Sequence, residues 1–201
     1  MATKNGAQST KVVTGEVRLS YTHLFEPYSS EPGQPEKYSC MILIPKSDKK
    51  TLEKIKGAIE AAKEQGKDTK WGGKIPPRVH LTLHDGDGET DDGTSIAEEY
   101  PERAGHYFMS ISAKTQPGIV DRQLNPILDS TEVYSGCYAR VSMNAFPYTY
   151  GKKSGISFGL NHVQKLRDGE MFGGRSRAED DFEALEDDID EDSTDDLADL
   201  I

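Results

Sequence analysis

Hydrophobic and polar positions alternate most regularly between Glu132 and Leu166. At a period of two, Val133, Ser135, Cys137, Ala139, Val141, Met143 and Ala145 share one face, small or apolar as a core-facing strand requires. The opposite face carries Tyr134, Tyr138, Arg140, Ser142, Asn144, Phe146, Tyr148 and Tyr150. In the run that follows, Ile156, Phe158 and Leu160 point one way. Gly155, Ser157, Gly159 and Asn161 point the other, an outer face with room for a ligand or a second backbone. TYGKKSG joins the two runs as a hairpin, with Lys152 and Lys153 beside Tyr150 at its tip.

The same periodicities place further elements. Val13, Val17, Leu19 and Tyr21 alternate with Thr14, Arg18 and Ser20, predicting a first strand. Residues 23–36, with three prolines and a glycine, read as a loop. Tyr38, Cys40, Ile42 and Ile44 define a second strand that Pro45 ends. Ser47 suits an N-cap, and Leu52, Ile55, Ile59 and Ala62 recur at helical spacing, predicting a helix over 48–65 that Gly66 closes. Val79, Leu81 and Leu83 mark a third strand facing inward. Gly105–Lys114 marks another, with Tyr107, Met109, Ile111 and Ala113 on one side and His106, Phe108, Ser110 and Lys114 on the other. Residues 116–127, which carry Arg122, read as a connection. A mainly β fold follows: an OB-type antiparallel barrel of five to six strands with one inserted helix, although the order alone also fits a sandwich.

Composition divides the chain. Of 201 residues, 34% are hydrophobic, which is low for a fully folded chain of this length. The net charge of −11 is unevenly spread: residues 178–201 hold thirteen Asp or Glu and no Lys or Arg, leaving 22 acids against 24 bases before them. Eight more acids lie in residues 84–102. A basic body with an acidic loop and an acidic tail fits a polyanion binder with an interaction arm. The expected organisation is a flexible N-terminus over 1–10, a folded domain over 11–177, and a disordered acidic tail over 178–201. No apolar run reaches membrane-spanning length and the N-terminus lacks a signal-peptide core, so the expectation is a soluble cytoplasmic protein without membrane contact. Cys40 and Cys137 sit in apolar strand patterns and read as buried free thiols.

Five aromatics and Arg140 in one register form a surface on which unpaired bases stack while phosphates are neutralised. Any single ring is accounted for equally by cross-strand packing, so the series carries the reading. Lys152, Lys153, Phe108, Lys114 and Arg122 extend the candidate surface. Trp71, between Lys70 and Lys74, suits stacking on a base or plugging the core at the helix end. His80 and His84 share a strand face but lack a third ligand in pattern. In DGDGETDDG the EF-hand positions six and twelve hold Thr90 and Ile96 counted from Asp85, or Asp92 and Glu98 counted from Asp87, so neither register fits. No phosphate-binding loop, HExxH, CxxC or nucleophile elbow occurs, and no cofactor or metal is implied.

GEVRLSY, KYSCMILIPK before a helix, WGGK, PGIVD, VYSGCYARVSMNAFPY and GISFGLNHVQKLRDGE, followed by the acidic tail, resemble the phage-encoded single-stranded DNA-binding proteins with an OB barrel. The resemblance covers nearly the whole chain and is most specific from Tyr134 to Glu170. It implies an OB fold, binding to unpaired DNA without strong sequence choice, and a role in phage replication, recombination or repair in the host cytoplasm. It also implies that the tail recruits replication or repair proteins through Asp195, Asp196, Asp199, Leu200 and Ile201. Two other classes stay open: a protein-interaction module, and a metal-dependent nuclease built on the acids from Asp85 to Asp92. The pattern leaves open whether subunits assemble into a homo-oligomer.

Overall fold

In the computed structural model, which describes residues 9–173, the alternating runs form one sheet of nine strands. These are β1 (Lys11–Val13), β2 (Val17–Tyr28), β3 (Lys37–Pro45), β4 (His80–Leu81), β5 (His84–Asp85), β6 (His106–Ala113), β7 (Gly118–Val120), β8 (Tyr138–Tyr150) and β9 (Lys153–Arg167). The helices are α1 (Lys49–Thr69) and the short α2 (Ile96–Glu99). Five long strands close on themselves: β2 pairs β3, β3 pairs β6, β6 meets β9, β9 pairs β8, and β8 returns to β2. That ring, with α1 packed against β8 and β1, is the OB-type barrel expected.

Three features depart from the sequence expectation of an antiparallel barrel of five to six strands. β9 runs parallel to β4, β6 and β7, because a last strand that closes the ring beside β6 must run in the same direction. The first predicted strand is two, broken at Gly15, whose amide donates to Thr51 Oγ1 at 2.7 Å. β2 also continues to Tyr28 through the stretch read as a loop. Register shifts in its pairing with β3, and the absence among the described residues of a second backbone partner beyond Leu19, let Pro27 sit in it without losing a ladder bond.

Local corrections have local causes. Asp48, not Ser47, caps α1, its carboxylate accepting from Thr51 N at 3.1 Å and Thr51 Oγ1 at 2.5 Å. The helix runs on through Gly66, buried where a side chain would strike the Trp71 ring and Pro147. The third predicted strand is two short pieces with a bend between, and Leu81 is 42% exposed rather than inward. The 116–127 connection contains β7.

Val17, Leu19, Ile42, Ile44, Met109, Ile111, Val141, Met143, Ile156 and Phe158 fill the barrel. Ile55, Ala58, Ile59 and Ala62 of α1 join them. Among the described residues no helix is long and apolar enough to cross a membrane. The expected tail over 178–201, with its partner-binding tip Asp195, Asp196, Asp199, Leu200 and Ile201, lies outside the described residues.

Candidate nucleic-acid interface

On β8 the burial alternates as the sequence predicts: Ala139, Val141, Met143 and Ala145 are buried, while Arg140, Phe146 and Tyr150 are exposed. The antiparallel register with β9 sets Asn144 opposite Gly159, Tyr148 opposite Gly155 and Tyr150 opposite Lys153. A Cβ on Gly155 would lie 2.6 Å from the ring atoms and hydroxyl of Tyr148, and one on Gly159 would lie 3.7 Å from the Phe146 ring. The bare glycine backbone is therefore the bed on which these two rings lie. The room that the glycines leave is taken by the protein's own aromatics. Phe146 is 42% exposed and Tyr150, at the hairpin tip beside exposed Lys152 and Lys153, is 83% exposed.

Next to this row lies a groove of about 470 Å³ on the outer face of β2, β3 and β6, lined by Tyr21, His23, Tyr28, Lys37, Met41 and Ser110 among others. Its lining includes Ser112, registered directly against Gly159 of β9, so groove and aromatic row form one continuous surface. His23 and Tyr28 stack at 4.3 Å between ring centroids. Tyr21 sits at a φ of +48° and is exposed, a bulged position that turns its ring out of the strand. The groove floor is small and polar, with Ser39, Ser110 and Ser112 on neighbouring strands. The face of the second and third barrel strands, with the loops after the first strand and between the last two, is where OB barrels bind oligonucleotides.

The acidic loop is tied down by Lys46. Lys46 Nζ lies 2.5 Å from Asp85 and 2.8 Å from Asp87, and Asp87 also accepts from Gly105 N at 2.8 Å. The hydrogen bonds from Lys46 hold both carboxyls below the usual carboxylate range. His84 stacks on Phe108 at 5.4 Å, and among the described residues no three His, Cys, Asp or Glu gather as a metal site would require.

Residues 10–196 match the protein family described as "Enterobacter phage Enc34, ssDNA-binding protein". The chain belongs to that family. A curated relative, "Putative protein p50" of Acyrthosiphon pisum secondary endosymbiont phage 1, is 32% identical over 174 residues, covering 82% of this chain and 87% of the relative. The single-stranded DNA-binding protein from bacteriophage Enc34, solved in complex with ssDNA, is 27% identical, covers 85% of this chain and 97% of its own, and superposes with a TM-score of 0.68. The single-stranded DNA-binding protein gp2.5 encoded by bacteriophage T7 shares the fold, with a TM-score of 0.55 at 14% identity over 86% of this chain and 94% of its own.

In this member of the family the expected contact residues divide into three groups. Phe146, Tyr148, Tyr150, Lys152 and Lys153 stand together at the hairpin end. Arg140 and Arg122 stand near the other end, beside Gln164 of β9. Gln164 is eleven residues from Lys153, roughly 36 Å of strand. Arg140 is exposed, with its Nε 3.2 Å from Thr14 O; exposed Lys114 follows β6.

Four rings have other work. Tyr134 precedes β8 rather than standing on it, its hydroxyl accepting from Gly169 N at 3.2 Å and donating to Gly169 O at 3.0 Å. Arg18 and Arg167 both lie over the Tyr138 ring, with their Cζ atoms 5.2 Å and 3.5 Å from its centroid. Phe108 is buried under the Arg103 guanidinium, 4.6 Å away. Trp71 packs on Gly66 against the core, the plug and not the open platform. Sequence reasoning did not bring Tyr21, His23, Tyr28, Lys37 and Arg103 to this face, where they line the groove. The available signal was the run of small polar residues on the outer positions of β3 and β6, Ser39, Ser110 and Ser112, beside an aromatic-rich stretch assigned to a loop.

Proposed function

We propose that this protein binds unpaired DNA with little sequence specificity and performs no chemistry on it. The strand runs through the groove between β2, β3 and β6 and across the β8–β9 face to the hairpin tip. The observation that carries this reading is the continuity of the groove with Phe146 and Tyr148 on their glycine bed, through Ser112 and Gly159. Stacking rings grip bases of any identity, because every base has a π-face. Lys152, Lys153, Lys37 and Lys114 neutralise phosphates along the path, while Arg140 and Arg122 meet only a strand long enough to pass the barrel's other end. The Enc34 relative solved with ssDNA supports the choice of ligand. The biological setting that fits is phage replication, recombination or repair.

Anisotropy of a labelled oligonucleotide, with and without Mg²⁺, tests the reading. Tight, salt-sensitive binding without cleavage is expected, with duplex DNA much weaker. Absence of binding would favour a protein-interaction module, and Mg²⁺-dependent cleavage a nuclease.

The acidic tail enters the same proposal as a competitor and recruiter. Residues 168–173, the last ones described before the tail, are held against the barrel. Arg18 Nη2 donates to Glu170 O at 2.7 Å, Arg18 Cζ lies 4.2 Å from the Phe172 ring centroid, and Phe172 N donates to Ser135 O at 2.9 Å. Phe172 and Gly173 line a cavity with Tyr21 and Glu102, so the chain leaves the barrel beside the groove. An arm with thirteen negative charges rooted there competes with phosphates at high effective concentration. Removing residues 178–201 should tighten DNA binding at low salt, with the gain shrinking as salt screens the arm. It should also abolish capture of replication or repair enzymes. Unchanged affinity at low salt would remove the competition, and equal capture by the truncated protein would remove the recruitment.

A further inference from the structure

The acidic segment between β5 and β6 is a poor neighbour for DNA by charge alone, yet it is pinned by Lys46 and delivers one cation into the groove. Arg103 follows α2 on a single turn of 3-10 helix and is only 8% exposed. Its guanidinium lies 3.7 Å from the Tyr100 ring centroid and 4.6 Å from that of Phe108, held between two faces. Its Nε is buried without a hydrogen-bond partner, and among the described residues no carboxylate pairs with it. The same side chain lines the groove with Tyr21, His23, Lys37, Ser110 and Ser112.

A buried guanidinium with an orphaned donor is costly, and contacts with ring faces offset only part of that cost. An anion would complete such a cation, and the planar fork of Arg matches phosphate oxygens two at a time. We infer that Arg103 is a phosphate-anchoring residue of the groove, held ready by Tyr100 and Phe108 to take one backbone phosphodiester of a bound strand. The hydroxyls of Ser110 and Ser112 lie on the same wall as further donors. The inference rests on the single-stranded DNA reading above and assigns to the acidic segment the task of presenting this cation.

The test compares the full-length protein with Arg103→Met, Arg103→Lys and Phe146→Ala, titrating a labelled oligothymidylate at several salt concentrations and recording thermal melting of each. Arg103→Met should weaken binding about tenfold, the loss of a charge-assisted bond, and make the log–log salt slope shallower by about 0.7. Phe146→Ala should weaken binding without changing the slope, since a ring carries no counterion term. A merely structural Arg103 would lower the melting temperature and leave the slope of the folded protein unchanged, which overturns the inference while the DNA-binding reading stands. If wild type itself fails to bind, both fall. Should the Met variant not fold, Arg103→Lys decides: retained slope with several-fold weaker binding supports the bidentate anchor, and wild-type affinity overturns it.

Discussion

Replacing Gly155 by Ala separates ring placement from ring presence. Gly155 is buried in β9 opposite Tyr148, and the new methyl would stand 2.6 Å from Tyr148 Cε1, Cζ and Oη. These are the far atoms of a partly exposed side chain, so the ring can swing outward and the backbone need not move. Against that clash stands the smaller backbone entropy of Ala, worth about 0.4–1 kcal/mol at a compatible site. Net stability should therefore change by less than about 1 kcal/mol in urea unfolding. The displaced ring no longer lies on the strand, and binding should lose roughly 1–3 kcal/mol, the usual range for one stacked base. That is about 5- to 150-fold in Kd by anisotropy. Tyr148→Ala should cost the same, and the double variant no more than either, because both remove one interaction. A folded Gly155→Ala protein with wild-type affinity would refute the glycine bed as a determinant of binding, as would full additivity with Tyr148→Ala.

Three further outcomes are expected. Arg18→Ala, which removes the bonds to Gly136 O and Glu170 O and the stack on Phe172, should cost about 2 kcal/mol in urea unfolding. It should also open residues 168–173 to limited proteolysis, and a wild-type cleavage pattern would show that Arg18 does not hold this segment. Asp85 and Asp87 are held below their ordinary value of 3.8 by Lys46, so their clamp stabilises fully above that value. The contribution is lost as pH falls through the lowered folded-state value. Lys46→Met should therefore flatten the acid limb of stability against pH, and an unaltered limb would show that the clamp contributes nothing. Cys40 is buried and its thiol pushed up to about 12 by burial, so thiol reagents should label it only at the rate of unfolding; rapid labelling of the native protein would place it near the surface.

The β8–β9 hairpin was legible because its two faces differ at every step, and a period of two needs no knowledge of partners. The closed ring was legible as a class from strand order and one helix. What escaped depends on distant residues. Tyr138 looks free on its strand, but Arg18 and Arg167 both lie over its ring, and no local pattern announces Arg18, more than a hundred positions away. Phe108 stood correctly on the outer face, yet the aperiodic segment 84–104 folds over that face and buries it. The sequence reads residues 23–36 as a loop on three prolines, yet residues 23–28, with Pro27, belong to β2. Proline is tolerated there because that part of β2 pairs on one side only. Trp71 stayed ambiguous in sequence because plug and platform ask for the same side chain.

β9 bonds to β4, β6, β7 and β8, and among the described residues it is the last strand made. During synthesis the β2–β3 hairpin and α1 form from neighbouring residues, whereas ring closure waits until Arg167 has been added. Until then β6 and β8 each expose an unpaired edge, the arrangement that invites chains to join one another. Any message cut short before residue 167 therefore yields an open, edge-bearing fragment prone to aggregation. A fusion placed after residue 173 leaves every one of these pairings intact.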